Sequence, residues 1–200
     1  MQQSPLFAED ALPELPGLRF VPEFLSRAEE HELLRSIDSL VLAEAQYKQY
    51  TARRRVASFG GKFDYDANKL RPAPAIPPSL APLRERVSHW LGVDPACFEH
   101  MLVAEYRPGT PLGWHRDVPD FESIVGISLL GRARMKFRPY PPSPGRAKEN
   151  LALELPPRSA YVLEGPVRWN WQHSIAETTE LRYSISLRTP RGTPALLRRG

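Results

Sequence analysis

Cysteine is almost absent from this sequence, which contains Cys97 alone among its 200 residues. A lone cysteine excludes an intramolecular disulfide and suits a reducing compartment, so we expect a cytoplasmic protein. The chain also lacks an apolar run long enough to cross a bilayer, and residues 1–20 lack the basic and apolar pattern of a secretion signal. These absences argue against disulfide scaffolds, membrane proteins and secreted proteins.

The composition is that of a soluble globular protein, with 42% hydrophobic and 25% charged residues. The net charge of +4 permits a polyanionic partner, although a modest arginine excess is more often a solvated surface. No obligate protein partner is evident. We expect a flexible N-terminal arm at 1–15, one domain at 16–190 and a short C-terminal tail at 191–200.

Periodicity predicts two helices followed by many short strands. A capping box at Ser26 and Glu29 precedes an apolar stripe, which predicts a helix over 26–42, and a second stripe ends near Gly92. Alternation then indicates strands at 100–106, 124–130, 133–138, 151–155, 159–163, 167–173 and 181–188. Since no β-α-β alternation occurs, we expect an α+β, mainly β fold, an antiparallel double-sheet barrel braced by N-terminal helices.

Two histidines and one aspartate form the candidate metal site. His115 and Asp117 are two residues apart, so on a strand both side chains would point the same way. His173 comes later, on the predicted strand face shared with Trp169 and Trp171. Two imidazoles and a carboxylate are the ligand set of non-haem Fe(II). Singly, each residue is more simply a core histidine or a turn aspartate, whereas a structural zinc site would need a fourth ligand.

The strand at 181–188 places Arg182, Ser184, Ser186 and Arg188 on one face. Such a face is ordinary if it meets solvent. If it instead lines a barrel interior, two desolvated arginines require anions, because a buried unpaired charge is very costly. A dicarboxylate would supply both, through bidentate arginine–carboxylate pairing.

The segment at 48–71 combines three consecutive arginines with aromatic residues and a Gly-Gly pair. One interpretation is a surface hairpin. The other is a substrate-recognition lid that meets phosphates with arginine and a base with an aromatic ring. The candidate residues for this lid are Arg53, Arg54, Arg55, Phe59, Phe63 and Tyr65.

Taken together, these motifs resemble the AlkB family of Fe(II)- and 2-oxoglutarate-dependent dioxygenases over roughly residues 16–190. The resemblance is carried by an ordered set of short motifs: Tyr106-x-Pro108-Gly109, His115-x-Asp117, the strand Ile124–Ser128, His173, and Arg182-Tyr183 with Arg188. It implies a double-stranded β-helix (jelly-roll) core. It also implies that His115, Asp117 and His173 bind iron, and that Arg182, Arg188 and Tyr106, with Ser184, bind 2-oxoglutarate.

The resemblance further implies O2-dependent oxidative demethylation of N-alkylated nucleobases in DNA or RNA, as in repair of alkylation damage, releasing formaldehyde, succinate and CO2. Trp114 and Arg116, on either side of His115, then join the lid residues as substrate-binding candidates. No catalytic side chain is needed beyond the metal centre.

The chain departs from the founding bacterial repair enzymes at three positions. Ala104 and Ser184 replace asparagines, and Pro119 replaces an acidic residue that faces the damaged base. The same chemistry on a protein or small molecule, and a non-catalytic nucleic-acid-binding module, therefore stay open as alternatives.

Overall fold

The computed structural model describes residues 14–47, 50–64 and 66–197, with side chains omitted at 45–52, 147 and 148. Most of the predicted N-terminal arm, Tyr65 of the predicted lid and the last three residues of the predicted tail lie outside this range. Leu15, assigned to the arm, is described and buried.

The helices are α1 (Arg27–Asp38), α2 (Ala81–Leu91) and α3 (Gly165–Trp169). The strands are β1 (Leu18–Val21), β2 (Ala43–Tyr47), β3 (Tyr50–Phe59), β4 (Gly61–Asp64), β5 (Lys69–Pro72), β6 (His100–Tyr106), β7 (Leu112–His115), β8 (Phe121–Leu130), β9 (Ala133–Pro139), β10 (Leu151–Leu155), β11 (Ala160–Leu163), β12 (Trp171–Ile175) and β13 (Arg182–Pro190). Short 3-10 helices occur at Pro78–Leu80, Pro95–Cys97 and Pro144–Glu149.

Signals in the sequence mark the start of α1 and the end of α2. The Ser26 hydroxyl accepts from the Glu29 amide, and the Glu29 carboxylate accepts from the Ser26 amide, which completes the predicted capping box. The helix ends at Asp38 and not at 42, so Val41 lies beyond it and is 90% exposed. Gly92 terminates α2 in the left-handed conformation, φ 66°, which favours glycine.

Two antiparallel sheets form a jelly roll, as the sequence predicts. The major sheet has the order β1-β11-β8-β13-β6-β3-β2, and the minor sheet has the order β10-β9-β12-β7. From β6 to β13 the chain passes back and forth between the sheets and stays in the minor sheet only for the β9–β10 hairpin. The strands β4 and β5 form a separate hairpin.

Each face of the major sheet packs against a different layer. On β8, Val125, Ile127 and Leu129 belong to a core that also contains Leu33, Ile37, Leu83 and Val87 of α1 and α2. Ile124, whose side chain is on the opposite face of β8, belongs to a second core with Met135, Phe137 and Leu153 of the minor sheet. The helices therefore brace the outside of the major sheet, and the space between the sheets is left for a cavity.

The strand predicted at 167–173 is confirmed only from Trp171 onwards. Residues 165–169 form the short helix α3, and β12 begins only at Trp171. Pro166 occupies the first turn of this helix, where proline fits because its nitrogen needs no hydrogen-bond partner there. Consequently Trp171 and His173 share a strand face, whereas Trp169 is not on the strand.

Within the described part of the chain, no helix has the length and apolar character needed to cross a membrane.

Candidate active site

The three predicted metal ligands converge at one end of the cavity between the sheets. His115 ends β7, and it lies opposite His173 in the register of β7 with β12. Asp117 lies in the loop after β7, so the expectation that one strand would present both His115 and Asp117 is wrong. One ligand atom from each of the three residues nevertheless lies within 4.8 Å of the others.

The protonation states of the trio favour cation binding. Burial, followed by the neighbouring His115, lowers the pKa of His173 to about 3, so its imidazole is neutral and has a free lone pair. Burial also lowers the pKa of His115, whose Nδ1 lies 2.8 Å from the Gly113 carbonyl oxygen. If Nδ1 donates to that carbonyl, Nε2 is left for a metal. Two neutral imidazoles and a carboxylate fit a divalent transition metal.

Arg188 of β13 holds the carboxylate in place. Its Nε and Nη2 each lie 3.2 Å from Asp117 Oδ1, whereas Oδ2 lies 3.6 Å from His173 Nε2. Although burial opposes ionisation of Asp117, Arg188 and the two histidines lower its pKa well below the ordinary range. Arg188 therefore bridges the major sheet to the metal ligands through Nε and Nη2.

Arg182 is a buried arginine in the cavity wall. Its side chain is 1% exposed, and its Nε donates to the Ser128 hydroxyl at 3.0 Å. Its Nη1 is buried and has no hydrogen-bond partner among the described residues. Because an unsatisfied buried guanidinium is costly, this geometry suits a carboxylate. The predicted alternation is confirmed, since Arg182, Ser184, Ser186 and Arg188 all line the cavity.

Tyr106 and Tyr161 flank Arg182. The Tyr106 ring centroid lies 5.0 Å from Arg182 Cζ, and the Tyr106 hydroxyl accepts from Arg54 Nη1 at 3.4 Å. Burial raises the pKa of the Tyr161 hydroxyl well above its ordinary range, although the positive charge of Arg182 partly opposes this shift. Sequence reasoning missed Tyr161 and Ser128 as site residues.

Gly126 is the sequence signal that could have found Tyr161. Glycine weakens a strand interior unless another group approaches closely. Here Gly126 pairs with Tyr161 between β8 and β11, and a Cβ at Gly126 would lie 2.1 Å from Tyr161 Cζ. The Tyr161 ring therefore occupies the space that a side chain at 126 would need.

We expect Gly126→Ala to displace Tyr161 and to disturb the surroundings of Arg182. Overpacking of this kind costs about 1–3 kcal/mol of unfolding free energy. Thermal unfolding should show this loss, and isothermal titration should show weaker 2-oxoglutarate binding. Gly113→Ala is the matched control, since a Cβ at Gly113 meets nothing within 4 Å. Equal behaviour of the two variants would contradict the role given to Gly126.

The lid arginines have three different environments. Both Arg53 and Arg54 line the cavity, but Arg53 is exposed to solvent whereas Arg54 is buried. Arg55 donates to both carboxylate oxygens of buried Glu105 and pairs with it as a salt bridge. Arg55 is thus engaged by Glu105, which makes the exposed Arg53 a better candidate for substrate contact than Arg55.

The aromatic candidates also separate. Phe59 is buried in the helix-side core, and Phe63 is half-buried on β4; both line the cavity. Trp114 and Arg116 line the cavity as well, but the Trp114 ring is stacked by Arg138, with Cζ 4.5 Å from the ring centroid. One contact of the Trp114 ring is therefore already made by Arg138.

Comparison with known proteins identifies the class. The family model of the 2OG-Fe(II) oxygenase superfamily matches residues 17–191. The structure titled "The structure of OsALKBH1" superposes with a TM-score of 0.65 at 14% identity, covering 86% of this chain and 96% of that one. At that identity the superposition supports the jelly-roll fold alone.

Two curated relatives are similar in sequence. "Alkylated DNA repair protein ALKBH8 homolog" of Arabidopsis thaliana is 30% identical over 86% of this chain and 54% of its own length. "tRNA (carboxymethyluridine(34)-5-O)-methyltransferase ALKBH8" of Macaca fascicularis is 33% identical over 82% of this chain and 24% of its own length. The chain thus spans about half of one relative and about a quarter of the other.

The chain therefore belongs to the 2OG-Fe(II) oxygenase superfamily, within its AlkB family. It is a dioxygenase that uses Fe(II), 2-oxoglutarate and O2. The convergent His-Asp-His donors and the unsatisfied Nη1 of Arg182 fit the metal and the dicarboxylate that this family requires.

Proposed function

We propose that the protein oxidatively demethylates N-alkylated nucleobases in DNA or RNA, releasing formaldehyde, succinate and CO2. The observation that carries this proposal is the cavity of about 1270 Å³ above the His-Asp-His site. Pockets for single small ligands are typically about 300–1,000 Å³, so this volume has room for 2-oxoglutarate and a flipped base together. Phe63 on its wall and Arg53 at its edge suit a base and a phosphate.

In this proposal the binding roles follow the geometry. His115, Asp117 and His173 hold Fe(II), which with 2-oxoglutarate and O2 supplies the oxidation of an N-methyl group. Arg182 receives a carboxylate of 2-oxoglutarate, with Tyr106 and Ser184 lining the same wall. Ser184 lies in register with Ala104 and Ser128. Tyr161 is added to this set, because it lines the cavity and is close enough to Arg182 for the charge of Arg182 to affect its pKa.

The surrounding chain prepares the site for that reaction. Arg188 keeps Asp117 ionised and orients one of its oxygens, which leaves the other directed towards His173. The buried Phe137 lies below His173, with ring centroids 6.5 Å apart, and excludes water from that side. No general base is required, since no side chain has to remove a proton from an N-methyl group.

The names of the relatives support a nucleic-acid substrate. They include a DNA repair protein, a tRNA methyltransferase and, at 24% identity over 82% of this chain, "Probable RNA/DNA demethylase ALKBH6" of Danio rerio. These names refer to both DNA and RNA, so they support a nucleic-acid substrate in general. That the substrate is damaged DNA is part of our proposal.

A second candidate is the oxidation of a tRNA base that carries an anionic substituent. Arg54 adds a third buried or half-buried guanidinium to the cavity, next to Tyr106, besides Arg182 and Arg188. Its positive charge also contributes to the low pKa of His115, which lies in the same cavity. The name of the macaque relative refers to a carboxymethyluridine of tRNA. A carboxylate on the base would complement the net positive charge of this part of the wall.

The test is a turnover screen with the Fe(II)-loaded protein and 2-oxoglutarate. The substrates are N-methylated DNA and RNA oligonucleotides, tRNA bearing carboxymethylated uridine, and methylated peptides, with Asp117→Ala as the background. Formaldehyde and succinate released in equal amounts from methylated oligonucleotides support demethylation. Succinate without formaldehyde from the modified tRNA supports the second candidate. Turnover of peptides alone contradicts both.

We expect Arg53→Glu to weaken oligonucleotide binding and to flatten its salt dependence, because a phosphate contact is removed. The slope of log affinity against log salt should fall by about one. Arg55→Ala is the comparison, since it instead leaves Glu105 buried without its main partner and should lower the melting temperature. Fluorescence anisotropy and thermal unfolding measure the two effects. Identical salt slopes for Arg53→Glu and the wild type would contradict the lid assignment.

A further inference from the structure

A row of arginine–aromatic stacks lies on the outer face of the minor sheet, beside the cavity mouth. We call it the arginine–aromatic face and define it by Trp114, Arg116, Arg138, Tyr140 and Gln172. The strand β9 alternates here, with Arg134, Lys136 and Arg138 between buried Ala133, Met135 and Phe137. Gln172 lies in register with Arg138, and next to His173, whose side chain faces the cavity.

The stacks are well defined. Arg116 Cζ lies 3.7 Å from the Tyr140 ring centroid, and Arg138 Cζ lies 4.5 Å from that of Trp114. Each guanidinium is also fixed by one hydrogen bond. Arg116 Nη1 donates to the Trp169 carbonyl oxygen at 3.0 Å, and Arg138 Nε donates to Gln172 Oε1 at 2.8 Å.

Neither arginine is neutralised by the protein. Among the described residues, Arg116 and Arg138 take part in no salt bridge, whereas Arg134 on the same strand pairs with Glu154 at 3.4 Å. Stacking uses the flat face of a guanidinium and leaves most of its five N–H donors free at the edge. Two cations are thus held in place, and most of their N–H donors are available to bind phosphate.

The face is continuous with the active site. Trp114 and Arg116 flank His115 in sequence and also line the cavity. The strand β12 separates β7 from β9, so Arg116 and Arg138 belong to backbone segments about 10 Å apart. A polymer with one residue in the cavity would therefore pass across this face next.

We propose that the arginine–aromatic face binds the single strand of nucleic acid that flanks the target nucleotide. This rests on the proposed function. Arg116 and Arg138 contact successive backbone phosphates, and the exposed rim of Tyr140 supports a neighbouring base. An acidic peptide would match the charge, but its carboxylate side chains would not stack on the aromatic rings, whereas nucleobases would.

The test compares two single-stranded DNA probes with the same N-methylated base, a trinucleotide and a 15-mer. Dissociation constants are measured by fluorescence anisotropy for the wild type, Arg116→Gln/Arg138→Gln and the matched control Arg134→Gln. We expect the double variant to weaken 15-mer binding roughly tenfold, since it loses two solvent-exposed contacts to phosphate, which are individually weak. Its salt slope should fall by about 1.4. The preference for the 15-mer over the trinucleotide should shrink accordingly, and the control should keep it.

A second variant keeps the experiment informative if the first is unstable. Arg116→Lys/Arg138→Lys retains the charge but not the planar fork, so it should retain the salt slope and lose part of the affinity. An unchanged length preference in both double variants overturns the proposal. So does a polyglutamate peptide that competes as well as an oligonucleotide of equal charge.

The outcomes also separate this proposal from the proposed function. If the wild type oxidises neither these DNA probes nor RNA probes of the same lengths, the proposed function fails. If it oxidises both probes and the double variants bind the 15-mer as the wild type does, only the role of the arginine–aromatic face is wrong.

Discussion

Replacement of Asp117 by alanine is expected to abolish Fe(II) binding. The variant loses the one carboxylate of the His-Asp-His site and leaves two neutral imidazoles, which bind a divalent cation weakly. Residues that only support a metal ligand already contribute about 10- to 100-fold to metal affinity. Loss of the ligand itself should therefore weaken binding by more than about hundredfold.

Anaerobic titration with Fe(II) and 2-oxoglutarate measures this effect. The wild type should develop a metal-to-ligand charge-transfer absorption band that is missing in Asp117→Ala. Asp120→Ala is the matched control, because that carboxylate lies three residues further on and outside the trio. An Asp117→Ala protein that binds Fe(II) as the wild type does would refute the metal site.

Replacement of Arg182 has the second largest expected effect. Arg182→Ala should weaken 2-oxoglutarate binding roughly 100- to 1,000-fold, as two hydrogen bonds to a charged group are lost. Fe(II) binding in the absence of 2-oxoglutarate should be nearly unchanged, because no ligand is removed. Calorimetric titrations of each ligand separate the two effects. Equal loss of both affinities would contradict the assignment of Arg182.

The stability of the ligand-free protein gives an independent check on Arg182. Arg182→Met replaces a buried cation that has an unsatisfied Nη1 with an apolar side chain of similar length. Such replacements are often neutral or stabilising. The melting temperature without 2-oxoglutarate should therefore hold or rise, whereas stabilisation by added 2-oxoglutarate should disappear. A large fall in melting temperature would indicate that Arg182 is structural.

Local periodicity was enough to predict the parts of the site that lie on regular strands. The alternation in β13 separated the buried Tyr183, Ile185 and Leu187 from the cavity-lining arginines and serines. That separation follows from the two-residue period of any strand with one apolar face. The antiparallel double-sheet barrel likewise followed from short strands without intervening helices, and the family resemblance identified it as a jelly roll.

Other parts of the site depend on contacts between distant segments, which local patterns do not carry. Tyr161 belongs to the site because β11 pairs with β8 at Gly126. Asp117 reaches the histidines from a loop, held there by Arg188 of another sheet. Trp169 lies in a helix, since Pro166 starts a turn where the aromatic alternation indicated a strand.

The three lid arginines show an intermediate case. Alternation along β3 would have separated Arg54 from Arg53 and Arg55, and the structure does place Arg54 alone among them in a buried position. Alternation along one strand does not indicate the pairing partner that distinguishes Arg55 from Arg53. Glu105, on β6, pairs with Arg55 only because β3 and β6 are adjacent in the major sheet.

The two halves of the site are carried by opposite walls of the jelly roll. The minor sheet and its following loop supply the metal donors, and the major sheet supplies Arg182. In the protein alone, the Arg188–Asp117 pair joins these walls at the site. Binding of Fe(II) and 2-oxoglutarate should therefore tie the two sheets together at the site. Amide hydrogen exchange should then slow in β12 and β13 together, and the cavity mouth should become as rigid as the core beneath it.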